Sequence, residues 1–131
     1  MYNKVYPEDR QPALRVVPMP CDLNPSGDVF GGWVMSLVDV AGAMPARRRA
    51  RGRVTTVAVK SCVFRHPVAV GDLVSFYAEV ASVGNTSITV NVDVWAERQG
   101  SDGTLEHLKV TEAMLTYVAM TEDGQKRSID P

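Results

Sequence analysis

Apolar positions along the chain form one long run and four stretches of strand-like patterning. The long run, residues 33–44, carries only Ser36 and Asp39 as polar side chains and no turn signal. That length suits a helix better than a strand, so a helix is expected from residue 31 to about residue 49. Its apolar side chains occupy nearly every face, the pattern of a helix buried all round. Arginines fill its last turn, where they oppose the negative end of the helix dipole, and Gly52 is the expected stop.

The remaining pattern is that of strands. Residues 54–64 are valine-rich and stopped by His66 and Pro67, and residues 73–83 follow a Val70-Gly71-Asp72 turn signal. Residues 86–95 alternate cleanly, with Ile88, Val90, Val92 and Val94 on one face and Ser87, Thr89, Asn91 and Asp93 on the other. After a loop at 100–103, residues 109–120 make a final strand. Ahead of the helix, a short apolar run at 14–19 is limited by Pro18 and Pro20, and residues 24–28 are turn-rich.

The predicted organisation is therefore a mobile lead-in at 1–12, one domain at 13–121 and a charged, frayed tail at 122–131. Strand, helix, then four strands with short Gly-containing turns predicts an α+β domain, an antiparallel sheet curled around one central helix. Strands this long need a partner at their outer edge, so oligomerisation is expected.

Composition changes this picture little. At 131 residues, 45% hydrophobic and 22% charged, the chain is sized and composed for a single soluble domain. A net charge of −1 gives no general attraction to nucleic acid or an anionic membrane. The exception is local, since residues 47–53 contain five arginines. Cys21 and Cys62 are isolated, which indicates neither a zinc site nor a disulfide framework. With no apolar signal-peptide core at the start, a reducing, cytoplasmic setting is expected.

Asp39 is the chemical anomaly. A carboxylate buried in an apolar helix without a partner costs about 3 to 5 kcal/mol. It is too deep in the helix to cap, so it either pairs with a cation or amide or does chemistry. Gly31 and Gly32 open the helix, where unsatisfied N–H groups make an anion or oxyanion site. Asp39 lies seven residues beyond Gly32, about two turns along and on the same face. A base and oxyanion donors are the two parts that acyl transfer to water requires, although the glycines equally suit tight packing against a sheet.

The segment from Asn24 through Gly31, Gly32 and Asp39 resembles the YciA-type bacterial acyl-CoA thioesterases of the hotdog fold. The likeness continues through Arg51-Gly52-Arg53-Val54-Thr55-Thr56, Phe64-Arg65-His66-Pro67, Gly71-Asp72, Gly84-Asn85-Thr86-Ser87, Trp95 and Thr111-Glu112-Ala113. It implies hydrolysis of short- to medium-chain acyl-CoA to fatty acid and coenzyme A, with coenzyme A as product and no metal or prosthetic group. By that resemblance Asp39 is the catalytic carboxylate, Asn24 assists it, and Gly31 and Gly32 hold the oxyanion. The groups would meet across a dimer interface, with hexamers built as trimers of dimers. Pro45 departs from the family pattern, and a proline inside a helix predicts a kink or early end near residues 41–44.

Coenzyme A is polyanionic and needs cations and backbone N–H groups. Arg51, Arg53, Lys60, Arg65 and the turn Gly84-Asn85-Thr86-Ser87 are the candidates, and each alone reads equally as solvated surface. His66 and His107 lie beside no nucleophile-elbow pattern. The alternatives are a hotdog hydratase, which needs a histidine–acid pair, and a non-catalytic acyl-CoA-binding protein.

Overall fold

The computed structural model describes residues 5–131. Its elements run β1 (Leu14–Val16), a 3-10 turn at Pro20–Asp22, α1 (Gly31–Ala50), β2 (Val54–Phe64), β3 (Leu73–Val83), β4 (Ser87–Gln99) and β5 (Leu105–Ala119). The strands form one antiparallel sheet in the order β1-β3-β4-β5-β2, with α1 lying on its inner face. This is the α+β arrangement expected from the pattern of elements. The bounds of β2 and β3 fall where the turn signals put them, whereas β4 and β5 extend further as one long ribbon. β1 is shorter than the apolar run at 14–19, because Pro18 and Pro20 supply no N–H to a ladder.

The helix differs from expectation in two ways. It continues unbroken through Pro45 to Ala50, rather than ending near residues 41–44. Its buried stripe, Val34, Val38, Ala41, Gly42, Ala46 and Ala50, spans both sides of the proline. Docking that stripe against β3 and β4 outweighs one lost backbone bond. The helix is also not buried on all sides, since Phe30 before it and Val40 and Met44 on its outer face are exposed. Five strands cover only one face, and the apolar outer face stays open in the single chain.

The helix stop is Arg51, which takes the left-handed conformation at φ 55°, with Gly52 following. Gly52 also leaves room for a side chain from beyond β5. A Cβ there would come within 2.9 Å of the Arg127 guanidinium, which donates to the last helical carbonyl of Ala50 at 2.7 Å. The segment after β5 is thus packed rather than frayed. Arg127 also reaches the Met120 carbonyl, Ile129 is 3% exposed within the core, and Asp130 takes both guanidinium nitrogens of Arg49.

The start of the described chain is likewise held. Tyr6 stacks on His107 with ring centroids 3.8 Å apart and meets Trp95 edge-on, and Arg10 pairs with Glu79. Residues 1–4 of the expected mobile lead-in lie outside the described residues. Alternation in β4 holds on the inner face, where Ile88, Val90, Val92 and Val94 are fully buried. The polar face is buried too at Asn91 and Asp93, because Lys109 covers Asp93 at 3.2 Å and lies over Trp95.

Candidate active site

Asp39 sits partly buried on the side of α1 that faces β2 and β5. Thr56 Oγ1 donates to Asp39 Oδ1 at 2.7 Å, and the Tyr117 hydroxyl reaches both the Asp39 carbonyl at 2.8 Å and Oδ1 at 3.1 Å. Thr56 and Tyr117 are register partners across β2 and β5, just before an irregularity in β2 at Val57. Among the described residues no lysine or arginine pairs with Asp39, and Oδ2 accepts no hydrogen bond. The expected choice between pairing and chemistry is thereby narrowed: the carboxylate is anchored by two neutral hydroxyls, not neutralised by a cation. Burial, and then the charge of Asp39, push the Tyr117 hydroxyl well above the ordinary tyrosine range, so it remains a donor at any working pH.

Thr56 and Tyr117 were not candidates from sequence. A threonine among valines in a strand carries a weak signal, and a tyrosine in the last strand carries none. Only the register of β2 on β5 makes them neighbours of the helix.

Gly31 and Gly32 begin α1 with no side chain capping the start, so their N–H groups have no partner within the helix. A Cβ built on Gly31 would meet the Phe64 ring at 3.5 Å, whereas no atom lies within 4 Å of a Cβ built on Gly32. Packing inside the chain therefore does not require the second glycine. Asn24 closes the preceding loop, its Oδ1 accepting from the Ser26 and Asp28 backbone N–H groups. Asn24 and Gly31 line a cavity of 320 Å³ with Phe64, Arg65, His66 and Val68, and Asp39 is not part of its wall. Asp39 is seven residue steps along the helix from Gly32, about 10.5 Å along the axis.

The cationic candidates divide between the two ends of the helix. Arg53 donates to the Glu122 carbonyl and, with Arg47 and Gly52, lines a cavity of 350 Å³ at the C-terminal end. Arg51 is nearby, 75% exposed and 3.6 Å from Asp130. The turn from Gly84 to Ser87 lies at this end as well, with Asn85 accepting from Ile129 and Thr86 from Ala119. Arg65 stands at the other end and pairs with Glu112 at 3.0 Å, while Lys60 is exposed on β2. Asp72 of the Gly-Asp motif is consumed structurally, bridging the Ala69 N–H and the Arg98 guanidinium.

The other reactive side chains are engaged elsewhere. His66 donates through Nδ1 to the Lys109 carbonyl, and His107 meets Glu97. Burial raises the Cys62 thiol above its ordinary range, which disfavours the nucleophilic thiolate. No cluster of three metal-binding side chains occurs among the described residues, and no helix among them is long and apolar enough to cross a membrane.

A single helix on a five-stranded antiparallel sheet, with a carboxylate on the helix and an uncapped Gly-Gly start, is the hotdog arrangement. The chain belongs to the thioesterase superfamily, which matches residues 26–102. Within it, the chain is 46% identical over 116 residues to the acyl-CoA thioester hydrolase YciA of Salmonella typhimurium, covering 88% of this chain and 87% of that protein. Among solved structures, Cj0915, a hexameric hotdog-fold thioesterase of Campylobacter jejuni, superposes with a TM-score of 0.90. It is 46% identical, over 94% of this chain and 92% of that one. HI0827, a hexameric broad-specificity acyl-coenzyme A thioesterase solved with an aspartate replaced by alanine, gives a TM-score of 0.85. Its identity is 43%, over 90% of this chain and 85% of that one.

Proposed function

We propose that the protein hydrolyses short- to medium-chain acyl-CoA to a fatty acid and coenzyme A, at a site shared by two copies of the chain. The observation that carries this reading is the state of Asp39, a carboxylate inside an apolar helix held through Oδ1 alone. Asp39 Oδ2 takes a proton from water as the water oxygen attacks the thioester carbonyl. The resulting oxyanion is received by the Gly32 N–H of the partner subunit, with Asn24 of the partner subunit placing the carbonyl or the water. Collapse expels the coenzyme A thiolate, which takes up the proton. In the nucleophilic variant Asp39 attacks the carbonyl itself, and water then hydrolyses the mixed anhydride.

Two features support a shared site. The axial separation of Gly32 from Asp39 is too large for one carbonyl to span. β2 is an edge strand whose Val57, Val59, Val63 and Phe64 are 43–54% exposed, beside the open apolar face of α1. Pairing of a second copy along β2 covers both surfaces and gives the dimer, with the hexamer of the solved relatives as the expected assembly. A hydratase is disfavoured, because both histidines are bonded away from Asp39.

Thiol release from acetyl-, butyryl- and longer acyl-CoAs tests the proposal. The parent should turn over, and Asp39→Asn should fold and lose orders of magnitude in rate. Parent-like hydrolysis by Asp39→Asn overturns the mechanism, and no thiol release by the parent would leave a binding protein. Single turnover in heavy-oxygen water separates base from nucleophile, since only a nucleophilic Asp39 acquires label.

A further inference from the structure

Tyr117 is a fully buried residue of β5 whose hydroxyl ends against the middle of α1. A phenolic hydroxyl in that position has to find a partner inside the protein. It finds two on one residue, the backbone carbonyl of Asp39 and its carboxylate Oδ1. The helix is shaped to admit it, because a Cβ on Gly42 would collide with this hydroxyl and press on the ring carbons at 3.2 and 3.3 Å. The carbonyl has a second lone pair beyond its helical bond, so this contact costs the helix nothing.

We infer that Tyr117 is a positioning residue for the hydrolysis, clamping the carbonyl and Oδ1 of Asp39 together so that Oδ2 is the oxygen presented to water or thioester. The inference rests on the reading of Asp39 as the reacting carboxylate. Thr56 holds the same Oδ1 from β2, which leaves the side chain one rotation fewer and one oxygen free. A plain core role requires only the ring, and phenylalanine would fill it.

Tyr117→Phe separates the two roles. With butyryl-CoA as substrate, kcat should fall about ten- to hundredfold, the loss expected for one hydrogen bond to a charged group. KM should stay within about twofold, since the lost contact acts in the reacting state. Gly42→Ala, which forces the hydroxyl aside, should reproduce the loss of kcat at a nearly unchanged KM, and added to Tyr117→Phe it should lower kcat no further. A folded Tyr117→Phe enzyme with parental kcat, or one whose loss falls on KM instead, overturns the inference. So does Gly42→Ala with parental kcat, should Tyr117→Phe not fold. Full turnover by Asp39→Asn instead marks failure of the underlying reading, whatever the tyrosine variant does.

Discussion

Thr56 and Tyr117 stand opposite each other on β2 and β5, and their hydroxyls converge on one oxygen of Asp39. Thr56 can be tested without disturbing the strand. Thr56→Val keeps the branched shape and removes the donor, so kcat/KM for acyl-CoA should fall about tenfold or more. Thr56→Ser should retain most of the activity. Steady-state thiol release by the two variants gives the comparison, and equal losses in both would mean that shape matters and not the hydroxyl.

The arginines after the helix are open to a substrate test. Arg51 and Arg53 are exposed, and exposed ionic contacts contribute little to folding, so alanine at both should leave stability nearly unchanged. KM for an acyl-CoA should rise several-fold, while KM for a short pantetheine thioester with the same acyl group stays at the parental value. Equal effects on both substrates would remove these residues from the nucleotide end of the site.

Ile129 reports on the packed C-terminal segment. Ile129→Ala should cost about 2 to 5 kcal/mol in urea unfolding, as for other large-to-small core changes. Asp130→Asn, one residue on and exposed, should cost little. Parental stability in Ile129→Ala would return the segment to a loose tail.

Glu112 links folding to pH. The Arg65 guanidinium, followed against burial by Lys109, holds its carboxyl below the usual value of 4.5. The unfolded chain therefore binds this proton more readily than the folded one. The stabilisation is complete above the ordinary carboxylate range and is lost as pH falls through the depressed folded value. Glu112→Gln should flatten the acid side of the stability profile below the ordinary carboxylate range while removing a constant amount above it. Urea midpoints across that range measure this, and an acid slope equal to the parent's would rule out the linkage.

The sequence by itself determined the helix start at Gly31, the bounds of β2 and β3, the inner face of β4 and the prominence of Asp39. Each depends on neighbours in the chain: turn residues, a period of two or of 3.6, or a charge amid apolar positions. The hydroxyls on Asp39 were hidden because they come from residues 17 and 78 positions away, brought in by the register of β2 on β5. Helix propensity at Pro45 predicted a break, and packing of Ala41, Gly42, Ala46 and Ala50 against the sheet prevented it. The C-terminal segment reads as polar, yet Arg127 and Ile129 dock because the end of α1 and the turn from Gly84 to Ser87 offer them carbonyls and a core. Propensity and periodicity register only local free energy. Burial and hydrogen bonding between distant segments are larger, and they exist only once the tertiary structure has formed.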